Sequence, residues 1–183
     1  HGDLPRAMHY LCTGEMPEGS IQPLHDYGAT VIMLAAIPHF VPVDQVEPLR
    51  RAIVTFLDAS SYDVTDPPRS MTMFADARRM GEALPEPART VMTWVNDRDV
   101  KTMGPKLVPF IEELGGAAAL SPERSPAVQV PVFLLHGAHD NVIPFTETPK
   151  IEAYLRASGN ARVTSLLTPL ISHANVAASP KPS

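Results

Sequence analysis

The stretch Val130-Pro-Val-Phe-Leu-Leu-His-Gly-Ala-His-Asp-Asn-Val-Ile-Pro144 constrains the fold more than any other part of the chain. It contains the end of an apolar strand-like run, Val128 to Leu135, which opens onto a turn at Gly137. That turn presents Asp140, and Pro144 leads into a helix-like segment from Thr146 to Ala157. Gly159-Asn160 closes the helix, a second strand-like run follows from Ala161 to Leu167, and His173 stands in the loop beyond it. Strand, helix and strand of these lengths predict a βαβ unit, whose strands must be parallel and joined by a right-handed crossover. An acid after the first strand and a histidine after the second then open onto the same carboxyl edge of the sheet.

The part before this unit has a different texture. Asp44 to Asp58 spaces Val46, Leu49, Ile53, Val54 and Leu57 at three and four residues, which predicts an amphipathic helix capped by Asp44. Further helices are expected over Pro68 to Ala83, with Met71, Phe74 and Met80 inward, and over Glu86 to Asn96, with Val91, Trp94 and Val95 on one face. Another is expected from Pro105 to Leu114, with Leu107, Phe110, Ile111 and Leu114 inward and Gly115-Gly116 as its stop. The apolar run Thr30 to Ile37 is ambiguous by periodicity. His25-Asp26 before it and Pro38 behind it suit a buried helix, and a third strand is the alternative. His1 to Gly19 gives no clear pattern, and Gly115 to Ala127 reads as a connector. The expected organisation is a mostly helical segment over 1–127 and a βαβ unit over 128–183.

Composition narrows the function classes. With 183 residues, 44% apolar and 19% charged, the chain is long enough and apolar enough for a packed core. Its formal net charge of −5 and scattered Lys and Arg argue against nucleic acid as a partner. No apolar run reaches the roughly 18 residues that a membrane span needs. A lone Cys12 forbids an internal disulfide, and no compartment is assigned beyond a cytoplasmic default. His9, His25 and His39 lack metal-ligand spacing, so neither a metal nor a cofactor is expected. Twenty prolines fall between periodic segments, where they start or stop helices.

The stretch from Val130 to His173 resembles the seventh and eighth strands of α/β-hydrolases, which deliver the last two members of a Ser…Asp…His triad in that order. The resemblance implies a partial α/β-hydrolase fold, with the helices from Leu24 to Leu114 as a lid or cap inserted before the seventh strand. Asp140 would be the triad acid, orienting the imidazole of His173, and His173 the general base. Ser172 stands where that family often has a glycine. The nucleophile elbow Gly-x-Ser-x-Gly is missing, since none of the ten glycines has a Ser, Cys or Asp two residues later. The expectation is therefore the C-terminal half of a serine hydrolase acting on a carboxylic ester or related acyl bond. Its nucleophile would lie outside the chain, which would be inactive alone and prone to self-association through an exposed sheet edge.

Plainer readings stand beside each of these. Asp140 could close its own turn by Asx-type bonding, the common behaviour of Asp-Asn pairs, and His173 could be a surface-loop histidine. His136-Gly137 also has the look of an oxyanion-hole loop, but the residues after it contain no elbow, so His136 and His139 are read as structural. The alternative for the whole chain is a non-catalytic helical binding or interaction module derived from a hydrolase.

Overall fold

A computed structural model of the chain describes residues 1–16, 18–23, 26–140 and 142–171. In chain order the elements are α1 (Leu4–Thr13), α2 (Asp26–Ala36), α3 (Val43–Ser61), α4 (Pro67–Glu82), α5 (Ala88–Asn96), α6 (Val100–Leu107), α7 (Ile111–Gly115), β1 (Val132–Gly137), α8 (Glu147–Ala157) and β2 (Val163–Thr168). Short 3-10 turns lie at Ile37–His39, Val108–Phe110, Ala118–Leu120 and Pro122–Arg124. The protein is thus mostly helical with a small parallel sheet.

The chain forms two compact units, drawn differently from the 1–127 and 128–183 segments expected from sequence. One comprises His1–Leu24 with Ile111–Ser183, and the other His25–Phe110. The N-terminal residues join the βαβ unit because α1, absent from the sequence-based expectation, carries charges that α8 and the connector need. Asp3 caps α1 by accepting from the Arg6 N–H at 2.9 Å, and Gly14 ends it in the left-handed region at φ 72°. Arg6 then reaches Glu147 Oε1 at 2.6 Å and Glu123 Oε1 at 2.7 Å. Glu147, at the start of α8, is 2% exposed in its side chain and also accepts from the Gly2 N–H at 2.9 Å. A Cβ at position 2 would meet the Glu123 carboxylate and the Ile151 side chain, so a larger residue there would have to displace them. Arg124 ties Asp3 to Glu112 in the same region.

In the βαβ unit, β1 and β2 pair in parallel, with Val132 opposite Val163 and Leu135 opposite Leu166. The first strand begins at Val132 and not at Val128 because Pro131 has no N–H to offer a ladder. The carbonyls of Val128 and Val130 are taken instead by the Asn160 side-chain amide, at 2.8 Å each. Helix α8 packs on the face that carries Val163, and Leu155 is buried there. The opposite face is bare among the described residues: Phe133, Leu135 and Leu166 are 73%, 59% and 50% exposed. The sheet has two strands in the order β1-β2, so the outer edge of β1 pairs with no strand among the described residues.

The unit His25–Phe110 is a helical bundle in which α3 packs against α2, α4 and α5, and α2 against α6. Thr30 to Ala36 belongs to α2, so the helical reading of that run holds and the third strand does not form. The buried stripe of α3 is Gln45, Leu49, Ala52, Ile53, Phe56 and Ala59. It is rotated from the expected one: Val54 is exposed, and Phe56 supplies the central aromatic. Asp44 is not the cap of α3, which starts one residue earlier after Pro42; Asp44 lies in the first turn, where it complements the helix dipole. Met71 is exposed instead of inward, while Ser70, Ala77 and Gly81 form the tight seam of α4. Pro87 offers no side chain to cap α5, and the buried Gln45 does so by accepting from Ala88 N–H at 3.1 Å while donating to Glu86 C=O. The single helix expected from Pro105 to Leu114 is two. Pro109 cannot donate the bond that would continue α6, so the chain turns through Val108–Phe110 before α7.

Removing Arg6 leaves Glu147 buried without its main partner. The Arg6→Ala variant should lose roughly 2–3 kcal/mol, below the figure for a fully buried pair because Arg6 is a third exposed; urea unfolding that shows a loss under about 0.5 kcal/mol would contradict this. Burial alone would raise the Glu147 carboxyl, but the Arg6 and Gly2 bonds outweigh it and hold it below its ordinary range. Burial likewise opposes, and Arg124 overcomes, the lowering at Asp3. Both groups therefore stabilise the fold above the usual carboxylate range of about 4 and cease to do so as pH falls through their lower folded values. Chemical denaturation from pH 6 to pH 2 should show stability declining below about pH 4.5, with a smaller decline in Arg6→Ala.

Candidate functional site

The loop that leaves β1 is held at its base by the Ala138 N–H, which donates to Thr168 C=O on β2 at 2.8 Å. Asp140 follows in a tight turn, its N–H reaching Gly137 C=O at 3.2 Å. One carboxylate oxygen, Oδ1, accepts from the Val142 and Ile143 N–H groups at 2.8 and 2.9 Å. This is the local turn bonding that an Asp at such a position favours. The other oxygen, Oδ2, lies 3.5 Å from His136 Nε2. Asp140 is 8% exposed and His136 11% in their side chains, so both are largely withdrawn from water.

His136 spends both ring nitrogens on the scaffold. Its Nε2 lies 3.1 Å from Ile143 C=O, which can only accept, so Nε2 carries the proton. In the neutral ring Nδ1 then accepts from the Thr148 hydroxyl, at 2.6 Å. The imidazole thus bridges β1, the Asp140 loop and α8, the structural place expected from sequence.

A cleft of about 450 Å³ opens beside the loop, lined among others by Tyr10, Met16, His139, Asp140 and Phe145. Tyr10 comes from α1 and was not foreseen as part of the site. Burial, and then the charge of Asp140, push its phenol above the ordinary value, so it remains a neutral hydroxyl at physiological pH. Asp3, Pro5 and Gly14 bound a helix over Leu4–Thr13 and so signal that Tyr10 is helical, but not that it lies beside Asp140. Cys12, on the same helix, is buried and its thiol is pushed up to about 12, which leaves it unreactive as a nucleophile. No cluster of three or more His, Cys, Asp or Glu suited to a metal occurs among the described residues. Of the two expected catalytic residues, Asp140 sits where the sequence indicates, at the carboxyl end of β1, and His173 lies outside the described residues.

No protein-family model matches the chain, and no curated protein and no solved structure matches it either. Among the described residues, no helix is long and apolar enough to cross a membrane.

The Asp140 turn makes a mutational statement. An Asn at this position keeps a side-chain oxygen for the Val142 and Ile143 N–H groups, whereas Ala leaves both without it. Asp140→Asn should change stability by less than about 1 kcal/mol and Asp140→Ala should lose about 1–3 kcal/mol. Thermal unfolding of the two variants side by side checks this, and equal losses would contradict it.

Proposed function

We propose that the chain is the C-terminal portion of an α/β-hydrolase-type serine hydrolase that cleaves a carboxylic ester or related acyl bond. Asp140 is the triad acid, His173 the general base, and the nucleophile lies outside the chain. The observation that carries this reading is Asp140 on a loop at the carboxyl end of a parallel strand, facing a cleft. Its Oδ1 is fixed by the backbone donors of its own turn, as a triad acid needs for one of its oxygens, while Oδ2 lies 3.5 Å from His136 Nε2. His173 follows β2, whose carboxyl end is adjacent to that of β1. Among the described residues the edge of β1 is open and the face of Phe133, Leu135 and Leu166 bare, which supports the reading further because parallel strands are normally paired and covered on both faces. The helical unit His25–Phe110 corresponds in chain order to a cap.

The second reading, a non-catalytic binding module derived from a hydrolase, is favoured by Oδ2 of Asp140 lying 3.5 Å from His136, a ring that the scaffold itself holds. The two readings separate on one measurement. A carboxylate beside His173 favours its charged form, so the His173 pKa should fall by about one unit or more in Asp140→Asn. NMR titration of the histidine ring protons, with His173 assigned through a His173→Gln variant, reads this directly. An unmoved His173 titration would sink the triad and leave the binding module. The chain alone should also turn over p-nitrophenyl acetate no faster than an Asp140→Asn, His173→Ala double variant, because it supplies no elbow and no oxyanion hole built on one.

A further inference from the structure

The helical unit holds a groove that the hydrolase reading does not use. It encloses about 360 Å³ and is lined by Phe56 of α3, by Phe74, Ala75 and Arg78 of α4, and by Asn96 and Arg98 at the end of α5. Phe56 and Phe74 meet edge to face with centroids 5.1 Å apart, which makes the floor apolar and aromatic. The rim carries two guanidiniums. Arg78 pairs with Asp97 at 3.2 Å, and Arg98 lies 4.0 Å from Asp63 and 5.3 Å from the centroids of both Tyr27 and Phe74.

Arg98 is placed there against local backbone preference. Its N–H bonds to Val95 C=O at 3.1 Å and the next N–H, of Asp99, to Trp94 C=O at 2.9 Å, the pair of bonds that closes a Schellman motif. Residue 98 occupies the left-handed position of that motif, at φ 54°, and is the one non-glycine residue with positive φ among the described residues. Glycine takes this conformation without strain, and a long side chain does not. Residues held in such conformations cluster at ligand clamps and active sites.

We infer that this groove is a binding site for a small aromatic carboxylate, whose ring lies against Phe74 in front of the buried Phe56 and whose carboxylate is held by Arg98 and Arg78. The volume is at the small end of ligand pockets, which suits a one- or two-ring acid. Each guanidinium has five N–H donors, so Arg78 can donate to a ligand carboxylate while still holding Asp97. The exposed pairs with Asp97 and Asp63 compete only weakly for these donors. Binding here is independent of Asp140 and His173.

The test uses 2-naphthoate as probe and 2-naphthalenemethanol as its uncharged counterpart, titrated against the full chain by ligand-observed NMR. For a ligand of this size, saturable binding of 2-naphthoate with a Kd on the order of 1 mM is expected. Both the alcohol on the native chain and 2-naphthoate on Arg98→Gly should bind about fivefold or more weakly, as expected for loss of a charge-assisted contact. Arg98→Gly should melt no lower than the native chain, since glycine relieves the backbone. Absence of saturation, equal affinity for acid and alcohol, or unchanged affinity in Arg98→Gly would each overturn the inference. Should Arg98→Gly fail to fold, Arg78→Gln decides: the same weakening supports the site, and unaltered affinity removes it.

Discussion

The pairing of Arg6 with the buried Glu147 is the contact on which the first unit depends. An ionised carboxylate at the first turn of α8 is tolerated away from water only because a guanidinium, a backbone N–H and a nearby lysine all face it. Two of these partners, Arg6 and Gly2, come from the opposite end of the chain, so satisfying one charge brings the N-terminal helix beside the βαβ unit. Glu123 and the Asp3–Arg124 pair extend the same logic into the connector, where few apolar residues are available to hold it. The position of Tyr10 in the Asp140 cleft follows from this arrangement, because the helix that carries it is fixed by the ion network.

The Asp140 loop shows how a scaffold and a candidate catalytic group share one residue. The bonds that Oδ1 accepts from two backbone N–H groups set the loop shape, and His136 braces it against α8 with both ring nitrogens occupied. A carboxylate so held has a defined direction for its second oxygen. That rigidity is useful to a triad acid and equally to a structural turn. Bonding within the loop therefore does not separate the two roles, whereas the charge state of His173 does.

The helical unit reaches its packing differently. Its core is built from α3 outward, with Phe56 against Phe74 and Tyr27, and small residues on α4 allowing α5 to approach. A Cβ on Gly81 would press into Met92, so the α4–α5 seam is as close as glycine permits. The same closeness leaves an aromatic cleft at one end, where helix α5 terminates in a residue that a turn of that shape does not favour.

Local chemistry in the sequence determined the elements whose signals are strong: the βαβ order, the Asp140 loop at the end of β1, the helices α3 and α5, and Asn160 at the second turn. Period, glycine and proline act over a few residues, and these features need nothing else. Tertiary packing decided the rest. Which side of α3 faces inward depended on where α4 and α5 lie, so Phe56 replaced Val54 and Leu57 in the buried stripe. Pro131 and Pro109 shortened a strand and divided a helix through missing N–H donors, an effect readable in principle at each proline. The membership of α1 in the same unit as α8 was not readable from sequence, because an ion pair 141 residues apart leaves no periodic trace. The position of Tyr10 beside Asp140 and the meeting of Arg98 with two aromatic rings are of the same kind. Each is a contact between residues distant in the chain, and only the folded arrangement supplies its energy.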